Sequence, residues 1–186
     1  MTDRGWLVAI DLQRVFGDPS SPWRAPRYAA AAANVVRLAT AWGGRCVLTR
    51  FVAPAEPTGS WVPYYEAFPW ALEPPDSTLY ELTDEVSAVA TAGAASVVTA
   101  TTFGKWSTDL RAVVGDQPRL VVTGVATDCC VISTVLAAAD GGADVTVVTD
   151  ACAGSTDENH QKALDVMGLY APLVSFATTD ELLGAR

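Results

Sequence analysis

Six short apolar runs, spread along the whole chain and separated by helical stretches, constrain the fold more than any other feature of the sequence. They are WLVAI (6–10), CVLT (46–49), SVVTA (96–100), LVVTGV (120–125), VTVVT (145–149) and LVSF (173–176). Each is rich in β-branched residues and nearly continuous rather than alternating, which is the pattern of a strand covered on both faces. Parallel strands of that kind need long crossovers, usually helical, and the intervals supply them. PRYAAAAANVVRLATAW (26–42) is alanine-rich and stops at Gly43-Gly44, STDLRAVV (107–114) stops at Gly115, and CCVISTVLAAAD (129–140) stops at Gly141-Gly142. Glycine is the usual residue just past a helix end. TDENHQKALDVMG (156–168) opens on a threonine and acids that resemble a capping signal one residue out of register. The expected fold is therefore α/β: a single doubly wound, Rossmann-like three-layer sandwich around a six-stranded, mostly parallel sheet with right-handed crossovers.

A chain of 186 residues suits one domain over 1–186. The segment 51–80 breaks the rhythm. It holds more than half of the chain's prolines and many aromatics. A loop of that length is usually a lid or a subunit contact, although an elaborated surface insertion has the same composition. A net charge of −9 argues against nucleic acid or an anionic membrane as partner, since both call for basic patches. No apolar run approaches the roughly 18 residues needed to span a bilayer. The opening MTDRGWLVAID carries an acid and leads straight into a strand, unlike a signal peptide, so a cytoplasmic location is expected.

In an open α/β sheet, ligands bind beyond the carboxyl ends of the strands. Asp11 follows the first run, Lys105 the third, and Thr127, Asp128, Cys129 and Cys130 the fourth. An acid, an amine and a thiol at one sheet end form a nucleophile-and-base set that does not need histidine. With Thr127 or Asp128 as N-cap, the thiols would lie in a first helical turn, where free N–H groups and the helix dipole favour thiolate. The same N–H groups can hold an oxyanion, and Gly124 permits close backbone approach. Successive helical residues differ by about 100°, so only one of Cys129 and Cys130 is expected to face a pocket, and spacing does not say which. The remaining cysteines, Cys46 and Cys152, read as small buried hydrophobes. With no C-x-x-C pair and His160 as the sole histidine, a zinc cluster of the usual spacing is not expected, nor are disulfides in a reducing cytosol. No G-x-G-x-x-G follows a strand, which weakens a nucleotide-binding reading.

LVAIDLQRVF (7–16), VVTGVATDCCVISTV (121–135) and VTDACAG (148–154), with His160 shortly after, occur in this order over nearly the whole chain. In these pieces the sequence resembles the isochorismatase-like cysteine hydrolase superfamily, which includes nicotinamidases, N-carbamoylsarcosine amidases, ureidoacrylate hydrolases and isochorismatases. The resemblance implies that Cys130, in the T-D-x-C-V pattern, is the nucleophile, and that Cys129 holds the variable position and turns into the fold. It implies a cis Val125–Ala126 peptide that aims the N–H groups of Ala126 and Cys130 into an oxyanion hole. It also implies that Asp11, in a D-x-Q-x-x-F piece completed by Gln13 and Phe16, takes the thiol proton. The lysine departs from the family. Laid on ATTFGKW (100–106), the K-x-x-x-S-A-F pattern puts Ala100 at the lysine position and Lys105 in the alanine slot. Lys105 either supplies the ammonium from a shifted position or sits on the surface.

Metal-binding nicotinamidases carry an Asp-x-His…His set after the second strand. This chain has TRFVAP (49–54) there, so no metal and no other cofactor is expected, nicotinamidase is discounted, and His160 reads as structural. Phe16, Trp61, Tyr64, Tyr65, Phe68, Phe103 and Trp106 could wall a small apolar pocket, with Gln13, Phe16, Thr127, Trp61 and Trp106 expected against substrate. The expected activity is a cysteine hydrolase that cleaves the C–N bond of a small amide, lactam or ureido substrate through a thioester, with Asp11, Lys105 and Cys130 as its triad. The alternatives are enol-ether hydrolysis as in isochorismatase, and a non-catalytic binding or redox module built on the two adjacent thiols. Expected partners are a small-molecule substrate and further copies of the chain, as a dimer or higher homo-oligomer.

Overall fold

In this computed structural model, residues 4–184 are described apart from residue 94. The strands are β1 (Trp6–Ile10), β2 (Cys46–Phe51), β3 (Ser96–Ala100), β4 (Arg119–Val125), β5 (Asp144–Ala153) and β6 (Val174–Ala177). They form one sheet in the order β3-β2-β1-β4-β5-β6. Every pairing is parallel, so the sheet is wholly rather than mostly parallel. The helices are α1 (Arg14–Gly17), α2 (Tyr28–Trp42), α3 (Trp61–Ala67), α4 (Asp84–Thr91), α5 (Thr108–Val114), α6 (Ile132–Asp140), α7 (Asp157–Gly168) and α8 (Thr179–Gly184).

The alternation of side chains along each strand divides the interior into two cores. Leu7 and Ala9 of β1 pack with α2 and α4 through Ala31, Val35, Leu38 and Val86. Val8 and Ile10 pack with α5, α6 and α7 through Leu110, Val135, Ala138 and Met167. Strands covered on both sides carry no polar face, which is why the runs read as continuous. The strand order reverses between β1 and β4, and in doubly wound sheets that reversal opens a crevice at the carboxyl ends.

Several elements differ from the sequence expectation. β2 and β5 extend beyond their apolar cores, to Phe51 and Ala153. The segment 51–80 contains α3 and two single 3-10 turns, Pro69–Ala71 and Thr78–Tyr80. The expected helix at 129 starts instead at Ile132, and is preceded by one wide turn, Thr127–Val131. There the Ala126 carbonyl accepts from both Cys129 N (3.0 Å) and Val131 N (3.1 Å). Thr156 caps α7, its hydroxyl accepting from Asn159 N at 3.0 Å. No helix among the described residues is long and apolar enough to cross a membrane.

Candidate active site

β1 and β4 approach closely at their carboxyl ends because residue 124 is glycine. Its φ is +112°, and a Cβ there would lie 2.1 Å from the Ile10 carbonyl oxygen. Asp11 directly follows β1, itself in the left-handed region at φ 52°. Its carboxylate is fully buried. Oδ1 accepts the Thr49 hydroxyl at 2.7 Å, and the Asp11 N–H donates back to Thr49 Oγ1 at 3.2 Å. Oδ2 lies 2.9 Å from the Lys105 ammonium and accepts no other hydrogen bond, which leaves it acceptor capacity.

Lys105 is completely buried, not a surface residue. β3 ends at Ala100, and residues 101–104 leave the sheet before the chain brings Lys105 back inward. Three contacts hold it. Its N–H donates to Thr134 Oγ1 at 2.9 Å, Nζ donates to the Thr102 carbonyl at 2.6 Å, and the ammonium lies 5.3 Å from the centre of the Phe51 ring. Thr134 in turn donates to the Cys130 carbonyl at 2.7 Å. One hydroxyl thus ties the lysine segment to the wide turn that carries the thiols.

At the β4 corner the Val125–Ala126 peptide is cis, and the Ala126 N–H donates to no acceptor among the described residues. Neither Thr127 nor Asp128 caps the helix, and the position before the wide turn is Ala126. The two side chains instead tie the corner to the β5–α7 loop. Thr127 Oγ1 lies 2.8 Å from His160 Nδ1, and Asp128 accepts from Ser155 N (2.7 Å) and Ser155 Oγ (2.6 Å). Burial lowers the His160 pKa and favours the neutral ring.

Cys130 is buried and Cys129 half-buried, and both line the same cavity. Cys129 therefore does not turn into the fold, because the wide turn narrows the angle between successive side chains. The neighbouring thiols influence each other's titration, so they ionise as a unit. The Cys130 thiol lowers the Cys129 pKa, opposed by burial and helped by the Lys105 charge. The Cys129 thiol, burial and the Asp11 charge raise that of Cys130, while Lys105 lowers it. Burial pushes Cys46 and Cys152 up to about 12, which makes them inert.

The cavity measures about 250 Å³. Ala126, Cys129 and Cys130 line it together with a wall of Phe16, Trp23, Phe51, Tyr64 and Phe103, and with Pro22, Arg24, Asp128 and Ser155. Phe16 stacks on Trp23 with ring centres 6.3 Å apart and planes 11° from parallel. Of the residues expected against substrate, only Phe16 reaches this cavity. Gln13 is a buried strut that donates to the Phe51 (2.8 Å) and Tyr80 (2.7 Å) carbonyls and accepts from Phe51 N (2.7 Å). Thr127 is buried against His160, and Trp61 stands behind the wall against Tyr64 and Phe103. Trp106 packs into the α5–α6 core beneath Arg111. Trp23, Arg24 and Ser155 were not anticipated. Their only signal in the sequence is that 18–27 and 154–156 follow β1 and β5 at the ligand-binding edge. Among the described residues, no group of three or more His, Cys, Asp or Glu side chains is placed to hold a metal ion.

The family model for the isochorismatase domain matches residues 5–179. Among solved structures, a cysteine hydrolase from Pseudomonas syringae pv. phaseolicola is similar with a TM-score of 0.78 at 16% identity, over 97% of this chain and 93% of that one. An isochorismatase-like hydrolase from Alkaliphilus metalliredigens gives 0.74 at 18%, over 96% and 97%. A nicotinamidase from Bacillus subtilis gives 0.72 at 19%, over 92% and 97%. At these identities the likeness is one of fold. A search of curated proteins finds no match.

Proposed function

Because this chain belongs to the isochorismatase domain family, we propose that it is a cysteine hydrolase that cleaves the C–N bond of a small amide, lactam or ureide. The observation that carries this reading is the buried Lys105–Asp11 pair at 2.9 Å, which does not itself line the cavity of Ala126, Cys129 and Cys130 but whose charges act on both thiols. The ammonium faces Asp11 Oδ2, and Oδ2 takes the proton from Cys130 Sγ. The thiolate adds to the substrate carbonyl, and the oxygen that gains charge is met by the N–H groups of Ala126 and Cys130. The intermediate collapses with loss of the amine, which carries away the proton held by Asp11, and leaves a thioester on Cys130. Water, deprotonated by Asp11, then adds to the thioester. The acid departs and the thiol is restored.

Cys130 is assigned as nucleophile rather than Cys129 from the T-D-x-C-V register, and its carbonyl is the one fixed through Thr134 to the lysine segment. The test is a screen of amides, lactams and ureides for release of ammonia or amine, with Cys130→Ser as the blank. Release from none of them, with the protein folded, would discard the reading. Two adjacent free thiols lining one cavity favour a second reading, a thiol-based sensor without turnover. That reading requires reversible pairing or sulfenylation on peroxide treatment, and no hydrolysis.

A further inference from the structure

Among the described residues, Arg24 stands apart from the other arginines of this acidic chain. Arg14, Arg27, Arg37, Arg111 and Arg119 each pair with a carboxylate. Arg50 donates to the Tyr80 carbonyl, Arg4 to that of Ala41, and Arg45 lies over the Trp6 ring. The Arg24 side chain has no hydrogen bond, ion pair or ring contact among the described residues, and it lines the cavity that the thiols line. Its backbone, by contrast, is fixed. Arg24 N donates to the Ser21 carbonyl at 3.1 Å, Ala25 N donates to Phe16 O at 3.0 Å, and the preceding Trp23 is wedged between Phe16 and Trp70. The lining's other cation-seeking group, Asp128, is already satisfied by Ser155.

From this we propose that the substrate is a small flat amide or ureide with a carboxylate at the end remote from the scissile carbonyl, and that Arg24 binds that carboxylate. The inference rests on the hydrolase reading for its scissile group, but not for its anion. Aromatic walls suit a planar body. One guanidinium in a cavity of about 250 Å³ matches one carboxylate in fork geometry, whereas a phosphate dianion would call for more donors than the lining holds.

The test measures binding with turnover switched off. In the Cys130→Ser background, benzoate and benzamide are titrated by calorimetry, as probes of one size that differ in charge. Benzoate is expected to bind about 10-fold more tightly or better, the scale of one charge-assisted hydrogen bond. Adding Arg24→Gln should bring the ratio near one, and Arg24→Lys should restore part of it. Raising salt from about 50 to about 500 mM should weaken benzoate selectively. Equal binding of the two probes, a preference that survives Arg24→Gln, or no binding of benzoate at all overturns the proposal. Failure of the amide screen with the benzoate preference intact would remove the hydrolase reading alone. Hydrolysis of amides with no effect of Arg24 on the ratio would remove this inference alone.

Discussion

Replacing Lys105 by methionine keeps most of the side-chain volume and deletes one charge of a fully buried pair. At 2.9 Å and an effective dielectric of about 20, the attraction lost is about 6 kcal/mol before desolvation is counted. Desolvation of two buried ions offsets much of that, so the pair itself has small net worth. Removing only one partner is different. It leaves a carboxylate at zero exposure with Thr49 as its remaining donor, and such losses run to about 3–5 kcal/mol. The Thr102 carbonyl also loses its ammonium donor. Urea unfolding at neutral pH should therefore place Lys105→Met about 3–5 kcal/mol below the parent. The double change Asp11→Asn with Lys105→Met removes both charges and should recover about 2 kcal/mol or more of that loss. Turnover should not recover with it. Lys105→Met should lose about 100-fold or more in the turnover number, as when one positioned electrostatic group is removed, and the double variant should stay inactive. Should Lys105→Met fail to fold while the double variant folds, that rescue itself shows the coupling. A cycle that is additive within about 0.5 kcal/mol, or a Lys105→Met protein as active as the parent, would refute the argument that this pair holds the site.

The remaining predictions concern the thiols, the metal question and the tight approach of β1 to β4. Cys130→Ala should abolish turnover, while Cys129→Ala should keep most of it and lower the pH midpoint for alkylation of Cys130, because the neighbouring thiol that raises its pKa is gone; an upward shift, or activity that survives loss of Cys130, contradicts the assignment. Dialysis against a strong chelator should leave the rate unchanged, since the single histidine and TRFVAP provide no Asp-x-His set, and a loss restored by zinc, manganese or iron would show that a metal takes part. Gly124→Ala should destabilise the fold by about 3 kcal/mol or more, because its Cβ would meet the Ile10 backbone at 2.1 Å in a conformation with φ at +112°; a change in the urea midpoint equivalent to less than about 1 kcal/mol would mean that the strands can part.

How much of this site was legible in advance depended on the distance from a strand end. Asp11 follows β1 directly and residues 127–130 follow β4 after Ala126 alone, so the continuous apolar runs and the rule for carboxyl ends place them together. Lys105 lies five residues beyond β3, across a stretch with no regular structure. No periodicity tells whether its ammonium returns to the cleft. The structure turns the ammonium inward to Asp11, with the residue's backbone held by the Lys105–Thr134–Cys130 chain of hydrogen bonds, whose first link joins residues 29 apart. Its neighbour Trp106 diverges into the opposite core, which is why a tryptophan that reads as a pocket wall packs beneath Arg111 instead.

The two cysteines carry the same lesson to the chemistry. Reading 129–140 as an α-helix makes one thiol face the cleft and hides the other. The doubly accepting Ala126 carbonyl widens that first turn, and both sulfurs reach the cavity. A nucleophile with a second thiol beside it does not titrate alone: here the pair's mutual influence lowers Cys129 and raises Cys130. Substrate entry displaces solvent and adds a carbonyl that only a thiolate at the better-placed sulfur can attack. The low-pKa thiol of the resting protein and the reactive thiol of the complex can then be different atoms. A pH profile of alkylation would report the former and a pH profile of turnover the latter. On this argument the two midpoints separate in the parent and converge in Cys129→Ala, where Cys130 has no sulfur neighbour left to share its charge.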